Sequence, residues 1–449
     1  MILLHFHVRM QIMFDVLKRK NWYFIGIYGL SMQMLALLMK ERGYHVSGSD
    51  LRKLDIEGLD RVYPQDGFSH LEDSIEVVVY NTDIPANHPD LLAAKQRGLK
   101  ILHRVELQDI LFQDRENIMI TGSSGKTSTS YYVYSLLRYL KKDPFGFIGA
   151  FLPNEKTYYE GSGPYVFEFT ESDLMYKHFP QDVLLLLNFS LDHYWNYSRD
   201  PKLAQELYIA EYRRCILNSN RIIYNKDDKI LDQICNDHMN REKFLSYGYD
   251  ERSDLRITNA IEHLKYIEFE INGIKFTSNL HGLYSVYNVT AAIAIAHYYY
   301  GIALEELVDG VKQLTHVHRR MLLLYQDDRI TIIDDHATAI EEFTSLLNSV
   351  KKYNLPITIV YESPRLTRFE CMEEEFWDIL SNYPIAVRQR EIFDRWKDKH
   401  FNISLLDSDE AIDEFFDRTS GLCLLCYFAN KTRPYYLRWV QNRLSLKGQ

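Results

Sequence analysis

Residues 120–130 read ITGSSGKTSTS and extend the apolar run Ile118-Met119-Ile120. A short strand that ends in Gly122-Ser123-Ser124-Gly125-Lys126-Thr127 and runs on into a helical pattern through Ser128 admits few structures. Glycines let the backbone turn tightly, and the first N–H groups of the following helix point together at whatever lies in front of them. The positive helix end, the Lys126 ammonium and the Thr127 hydroxyl, a ligand suited to Mg²⁺, complete a cradle for phosphate. The general pattern of such loops has a glycine at position 120, where this chain has Ile120. By itself the loop does not separate a kinase, a regulatory NTPase and a ligase.

The strand–loop–helix alternation recurs. At 449 residues the chain is too long for one ordinary core, and length alone suggests about three domains. WYFIGIYGLSMQMLALLMKERGYHVSGSD predicts a strand at 22–27, a helix to Arg42 and a strand at 44–48, with EVVVY at 76–80 continuing the alternation. A second block opens at Asn117 and predicts strands at 165–169, 182–189 and 221–225. A third opens with RITIIDDHA (329–337), then a helix at 341–353, a strand at 356–362 and an amphipathic stretch near 372–381. Strands alternating with helices imply parallel sheets. Polar stretches near 112–116 and 314–320 are the expected linkers. The fold class is therefore α/β in three domains: an N-terminal Rossmann-like parallel sheet (1–115), a central sheet of P-loop type (116–317) and a C-terminal Rossmann-like sheet (318–449).

Two further places carry chemistry. Gly26-Ile27-Tyr28-Gly29-Leu30-Ser31, with Asp50 downstream, is a dinucleotide fingerprint lacking its second and third glycines. Tyr28 stands where backbone must approach a pyrophosphate, which argues against NAD but leaves room for another nucleotide in that crevice. Glu168 in VFEFTESD and His193 in NFSLDHYWNY fall at or just beyond the ends of two predicted strands. In a parallel sheet those ends share the edge that bears the phosphate loop, where a carboxylate and an imidazole could hold Mg²⁺ against phosphates.

Composition excludes several classes. A net charge of −10 is wrong for a broad nucleic-acid footprint. Cys215, Cys235, Cys371, Cys423 and Cys426 are scattered, odd in number and without paired metal spacing, which fits a reducing cytoplasm. Cys423-Leu-Leu-Cys426 lies inside the apolar run GLCLLCYF and reads as a core strand whose two thiols face opposite ways. The opening MILLHFHVRMQIM is too short to span a bilayer and lacks the pattern of a signal peptide. Either Met1 or Met13 could be the start, and no stable membrane insertion is expected.

Taken in order, these segments resemble the Mur ligases, ATP-dependent amide-forming enzymes of peptidoglycan precursor synthesis. The likeness runs from about Trp22 to the last forty residues. It is carried by FIGIYGLSMQMLALLMKERGYHVSGSD, TDIPANHPDLLAAKQRGLKILHR, ITGSSGKTSTS, FEFTESD, NFSLDHYWNY, HGLYSVYNVTAAIAIA, HRRM with IIDDHATAIEEF, and VYESPRLTR. The family's ATP loop has the short spacing seen here, which accounts for Ile120. The resemblance implies ATP and Mg²⁺ as cofactors. Gly122, Ser123, Ser124, Gly125, Lys126, Thr127 and Ser128 would form the ATP loop, with Thr127, Glu168 and His193 as metal ligands. Asn288 would contact adenine, Asp335 the ribose and Arg320 the γ-phosphate, so that Lys126, Arg320 and His193 form the catalytic group. Gly26, Gly29, Ser49 and Asp50 would meet a UDP-sugar, and Arg365 and Arg368 the carboxylate of an incoming amino acid, a task suited to guanidinium forks.

Two motifs depart from the family. Its G-x-H-N-x-x-N becomes Gly282-Leu-Tyr284-Ser285-Val-Tyr-Asn288, and its D-D-Y-[AG]-H-H-P becomes Asp334-Asp335-His336-Ala-Thr338-Ala-Ile340. His336 and Thr338 thus replace the tyrosine and first histidine of the amino-acid pocket. The likeness points most to ligation of L-alanine to UDP-N-acetylmuramate by a cytoplasmic monomer or weak dimer. A Mur-type ligase with another amino acid or a recycled peptide as acceptor, and an ATP-binding homologue without ligase activity, are the alternatives.

Overall fold

Strands such as Trp22-Tyr23-Phe24-Ile25 and Val77-Val78-Val79 are apolar at successive positions and buried throughout, as expected where helices cover both faces of a parallel sheet. The computed structural model describes residues 15–51, 56–149, 158–169, 181–191, 197–237, 241–263, 266–280, 282–317, 321–335, 337, 340–363, 366–399, 402–426 and 433–447. It contains three sheets. The first joins β1 (Asn21–Ile25), β2 (His45–Asp50), β3 (Arg61–Pro64), β4 (Val77–Tyr80) and β5 (Lys100–His103) in the order β3-β2-β1-β4-β5. All its pairings are parallel, with Trp22 opposite Val46 on one side and Val77 on the other. Helix α1 (Leu30–Glu41) carries the chain from β1 to β2 and buries Met32, Met34, Leu35, Leu38 and Met39. The strand order reverses between β1 and β4, the place where such sheets open a crevice at their carboxyl ends.

The second sheet has ten strands: β6 (Asn117–Thr121), β7 (Phe145–Phe147), β8 (Tyr158–Tyr159), β9 (Tyr165–Glu168), β10 (Gln181–Leu186), β11 (Ser219–Asn225), β12 (Phe244–Gly248), β13 (Leu255–Glu262), β14 (Ile267–Ile271) and β15 (Ile274–Ser278). Their order is β15-β14-β13-β12-β11-β10-β6-β9-β7-β8. Pairing is parallel at β6/β9, β7/β9 and β12/β13, and antiparallel at β13/β14 and β14/β15. Helix α2 (Lys126–Tyr139) follows β6, and α3 (Tyr284–Ala294) follows β15.

The third sheet orders β16 (Leu322–Gln326), β17 (Ile330–Asp335), β18 (Ile357–Tyr361), β19 (Ile385–Val387), β20 (Ile403–Leu405) and β21 (Gly421–Cys426) as β16-β17-β21-β18-β19-β20. Only the edge strand β16 pairs antiparallel. Helix α4 (Ile340–Lys351) follows β17 and α5 (Leu366–Cys371) follows β18. Apolar clusters cover both faces, and Cys426 belongs to one while Cys423 belongs to the other. The CxxC run is thus a core strand, and burial pushes the Cys423 thiol well above its ordinary pKa.

Among the described residues, those of Met1–Thr121, Lys141–Leu185 and Glu206–Ile222 form one compact unit. Those of Gly122–Leu140, Leu186–Gln205 and Ile223–Gln449 form a second, which holds the phosphate loop, β12–β15, α3 and the third sheet. No described helix is long and apolar enough to cross a membrane.

Candidate functional site

Glycine is required twice in the loop between β6 and α2. Gly122 has φ 146° and Gly125 φ 79°, backbone conformations that other L-residues rarely adopt. A Cβ on Gly122 would fall 2.8 Å from Leu187 Cβ, and one on Gly125 would fall 2.7 Å from Asn288 Oδ1. Gly125 is also the N-cap of α2, with no side chain to satisfy the first-turn N–H groups. An anion can take that role. The cradle therefore suits phosphate in shape and in donor chemistry.

The segment after β10 holds the loop in place. Asn188 accepts from Ser124 N–H through Oδ1 at 2.8 Å and donates to the Ser124 carbonyl through Nδ2 at 3.0 Å. The Ser123 hydroxyl donates to the Ser190 carbonyl at 3.0 Å and accepts from Ser190 N–H at 2.7 Å. Asp228 in turn accepts from Phe189 N–H at 2.7 Å while capping the helix Lys229–Asn236. Lys126 Nζ donates to the carbonyls of Gly122 and Ser123. Sequence reasoning named the loop but missed Asn188 and Ser190. Their signal is two polar residues, Asn188 and Ser190, directly after an apolar strand.

In front of the loop lies a cavity of about 230 Å³. Ser124, Gly125 and Ser128 line one side, Leu187, Asn188, Asn225 and Tyr247 the strand ends, and Tyr284, Tyr287 and Asn288 the start of α3. Asp335, at the end of β17, and Glu342, Ser345 and Leu346 of α4 close the lining. Aromatic walls with a few amide and carboxylate groups suit a purine nucleoside beside the phosphate cradle. Tyr287 donates from its hydroxyl to Asp227 Oδ2 at 2.8 Å and meets the Tyr249 ring edge-on. Burial, and secondarily Asp227, raise its pKa, so it stays a neutral donor. Asn225 accepts from Asp227 N–H through Oδ1 at 3.1 Å, and Asp335 accepts from Met321 N–H at 2.8 Å. Of the expected ATP residues, the structure brings Ser124, Gly125, Ser128, Asn288 and Asp335 to one cavity, all within the second compact unit.

Glu168 ends β9, paired in register with Ile120 of β6. Its carboxylate lies over Gly149, where a Cβ would fall 1.8 Å from Oε1. Thr127 stands in the first turn of α2. A carboxylate and a hydroxyl are the oxygen donors that Mg²⁺ prefers. No group of three His, Cys, Asp or Glu side chains placed to hold a metal occurs among the described residues. His193, Arg320, His336, Thr338 and Arg365 lie outside those residues, and Arg368 falls in α5 with its side chain outside them.

At the carboxyl edge of the first sheet, Gly26 takes φ 77° and its N–H and that of Ile27 donate to the Ser49 carbonyl. Asp50 fixes the same turn by accepting from Tyr28 N–H at 2.9 Å. The Ser49 hydroxyl is buried and donates to Asp90 Oδ2 at 2.7 Å, which also accepts from Tyr23 OH at 3.2 Å. Burial, with Asp90 adding to it, raises the Tyr23 pKa. Ser49 therefore holds the strand end from within. Sequence reasoning also missed Asn81, which follows β4. Its Oδ1 is buried without a hydrogen-bond partner among the described residues, and its amide stands 3.9 Å and 3.7 Å from where Cβ atoms on Gly26 and Gly29 would be.

Comparison with known proteins bears on this arrangement. Residues 120–296 match the model of the Mur ligase middle domain, and residues 21–115 that of the Mur ligase family, catalytic domain. The chain is 29% identical over 436 residues to the bifunctional enzyme MurC/Ddl of Chlamydia pneumoniae, covering 93% of this chain and 51% of that one. It thus spans about half the length of that relative. It is 28% identical over 384 residues to the UDP-N-acetylmuramate–L-alanine ligase of Pelagibacter ubique, covering 81% of each. Among solved structures, UDP-N-acetylmuramate-alanine ligase MurC from Thermotoga maritima superposes with a TM-score of 0.76 at 19% identity, over 95% of this chain and 99% of that one. A murein peptide ligase from Psychrobacter arcticus does so with 0.70 at 17%, over 94% and 98%. Two family models in sequence order, a shared three-sheet fold and a glycine-built phosphate loop at the expected strand end agree: the chain belongs to the Mur ligase family.

Proposed function

We propose that this chain is an ATP-dependent amide ligase of peptidoglycan precursor synthesis, joining L-alanine to the lactyl carboxylate of UDP-N-acetylmuramate. The observation that carries the reading is the continuity of the Gly122–Thr127 cradle with the cavity that holds Asn288 and Asp335. Phosphate and nucleoside would occupy one connected space. In this reading residues 1–115 bind the UDP-sugar, 116–317 bind ATP and 318–449 bring the amino acid.

The chemistry follows from what these groups can do. The sugar carboxylate attacks the γ-phosphorus of ATP, the bond to the bridging oxygen breaks, and ADP leaves an acyl phosphate. The uncharged amine of alanine then adds to the acyl carbon. The resulting tetrahedral intermediate collapses to amide and phosphate as the amine loses its proton. The first-turn N–H groups of α2 and the Lys126 ammonium stabilise charge gathering on the transferred phosphoryl group, and Arg320 would add a second cation. Asn288 and Asp335 orient the nucleoside, so positioning supplies much of the acceleration. Thr127, Glu168 and His193 would hold Mg²⁺, which when bound neutralises phosphate charge. Arg365 and Arg368 would clamp the amino-acid carboxylate. No covalent protein nucleophile enters the scheme.

His336 and Thr338 in place of the family's tyrosine and histidine favour a second reading, in which the same chemistry serves another acceptor. Phosphate release measured with UDP-N-acetylmuramate, ATP and Mg²⁺ against each amino acid and the tripeptide L-alanyl-γ-D-glutamyl-meso-diaminopimelate separates the two. Turnover with L-alanine above all others supports the first, and preferential use of the tripeptide or another amino acid the second. ATP binding without amide formation with any acceptor overturns both.

A further inference from the structure

Tyr284 stands where the family pattern has histidine, and its surroundings give the change a purpose. Its ring lines the cavity beside Asn288 and Leu346. The same side chain packs against the apolar cluster of the third sheet, which contains Phe343, Leu346 and Leu347 of α4. Behind the ring is Gly282, with φ 79°, where a Cβ would fall 2.2 Å from Tyr284 Cε1. Only glycine leaves room for the ring at that turn.

The turn is anchored at a second point. Gly282 N–H donates to Glu262 Oε1 at 2.9 Å, at the end of β13. The same carboxylate oxygen pairs with Lys352 Nζ, directly after the last residue of α4. The Glu262 side chain is only 10% exposed, so this pair works in a less screened setting than a surface ion pair. The C-terminal end of α4 is therefore tied through Lys352 to Glu262, and Tyr284 packs against the cluster to which α4 contributes; both contacts converge on the Gly282 turn. Between them α4 presents Glu342, Ser345 and Leu346 to the cavity.

We propose that Tyr284 is a positioning residue that couples nucleotide in the cavity to the seating of α4, resting on the reading of that cavity as the ATP site. A ligand that touches both the ring and the cavity face of α4 binds best when the two are together. By linkage it must then favour that arrangement by the same factor. A histidine could line the cavity but offers less apolar area to the cluster.

Amide hydrogen exchange of residues 340–351 in the full chain, with and without saturating ATP, tests this in the wild type and in Tyr284→Phe and Tyr284→Leu. Tyr284→Leu keeps an apolar side chain in the cluster, so it should fold, but it loses the flat wall. ATP should slow exchange across α4 in the wild type and in Tyr284→Phe. Tyr284→Leu should bind ATP about tenfold more weakly, the loss expected for an aromatic face, and should show little slowing even at saturation. Wild-type slowing in ATP-saturated Tyr284→Leu, or no slowing in a wild type that binds ATP, overturns the coupling alone. A wild type that binds no ATP by calorimetry overturns the functional reading beneath it.

Discussion

Asn188 holds the backbone of Ser124 at both ends, accepting from its N–H at 2.8 Å and donating to its carbonyl at 3.0 Å. The two residues lie 64 positions apart, so a strand end on one side fixes the conformation of the phosphate loop on the other. Replacing Asn188 by Ala leaves two part-buried backbone groups without this partner, at a cost of roughly 1–3 kcal/mol. Asn188→Asp keeps the acceptor but sets a carboxylate beside the Ser124 carbonyl and the phosphate cradle. The expected outcome is a lowered melting temperature for both variants, with the larger loss of ATP affinity in Asn188→Asp. Thermal melts paired with ATP titration calorimetry check this, and equal affinities in the two variants would speak against phosphate in the loop.

Gly125→Ala probes the same loop from the opposite side. The position has φ 79°, and the new methyl group would lie 2.7 Å from Asn288 Oδ1. The backbone cost is about 1–2 kcal/mol, and the Asn288 amide must shift from its place in the cavity lining. ATP binding should be lost while the circular dichroism spectrum stays native. Unchanged ATP affinity in the folded variant would separate Asn288 from nucleotide recognition.

Lys126→Ala should fold normally, because the bonds its ammonium makes to the carbonyls of Gly122 and Ser123 lie within the loop itself. Removing a cation that gains in value as phosphoryl transfer proceeds should lower amide-forming turnover by at least ~10²-fold. Steady-state kinetics on the folded variant decide the matter, and near-wild-type turnover would sink the ATP assignment.

How much of this could be read from the chain differs from element to element. Strands β1, β6 and β17 and their following helices were legible because continuous apolar runs and helical periodicity are local signals. The hairpin β14–β15 carries an equally local signature, Asn272-Gly273 with φ 51° and 83° between alternating strands, which a search for parallel units passes over. Asn188, Asn81 and Asp90 were illegible for another reason. Each matters through a contact with residues distant in sequence, and a lone Asn or Asp after a strand has many uses. Tyr284 lies between these cases. The sequence shows the departure from the family pattern, but only the packing shows what the ring touches.

Asn81 offers a test at the first sheet. Its buried Oδ1 lacks a hydrogen-bond partner among the described residues, and the amide stands beside the Gly26 and Gly29 turn where the strand order reverses. If the UDP-sugar supplies the missing donor, Asn81→Ala should raise the KM for UDP-N-acetylmuramate by about tenfold, in line with one lost hydrogen bond. The KM for ATP should stay within about twofold, since the two sites lie on different sheets. A KM for the sugar that does not move would assign Asn81 to the fold alone.

The metal site can be tested from two sides, by displacing a ligand and by neutralising it. Glu168 carries its carboxylate over Gly149, where a Cβ would fall 1.8 Å from Oε1. Gly149→Ala therefore cannot leave the carboxylate where it is, yet the obstacle is the far end of a flexible side chain, so the fold should tolerate the change. Glu168→Gln keeps the shape and removes the charge. If Glu168 serves Mg²⁺, both substitutions should raise the Mg²⁺ concentration for half-maximal turnover, because carboxylate oxygen is the preferred donor in a site completed by substrate phosphates. The two should also be non-additive when combined, since one displaces and the other neutralises the same carboxylate. A Mg²⁺ titration on the two single variants and the double variant checks both points. A normal titration in both singles would make Glu168 a structural residue, and additive effects would show that Gly149→Ala acts on something other than this carboxylate.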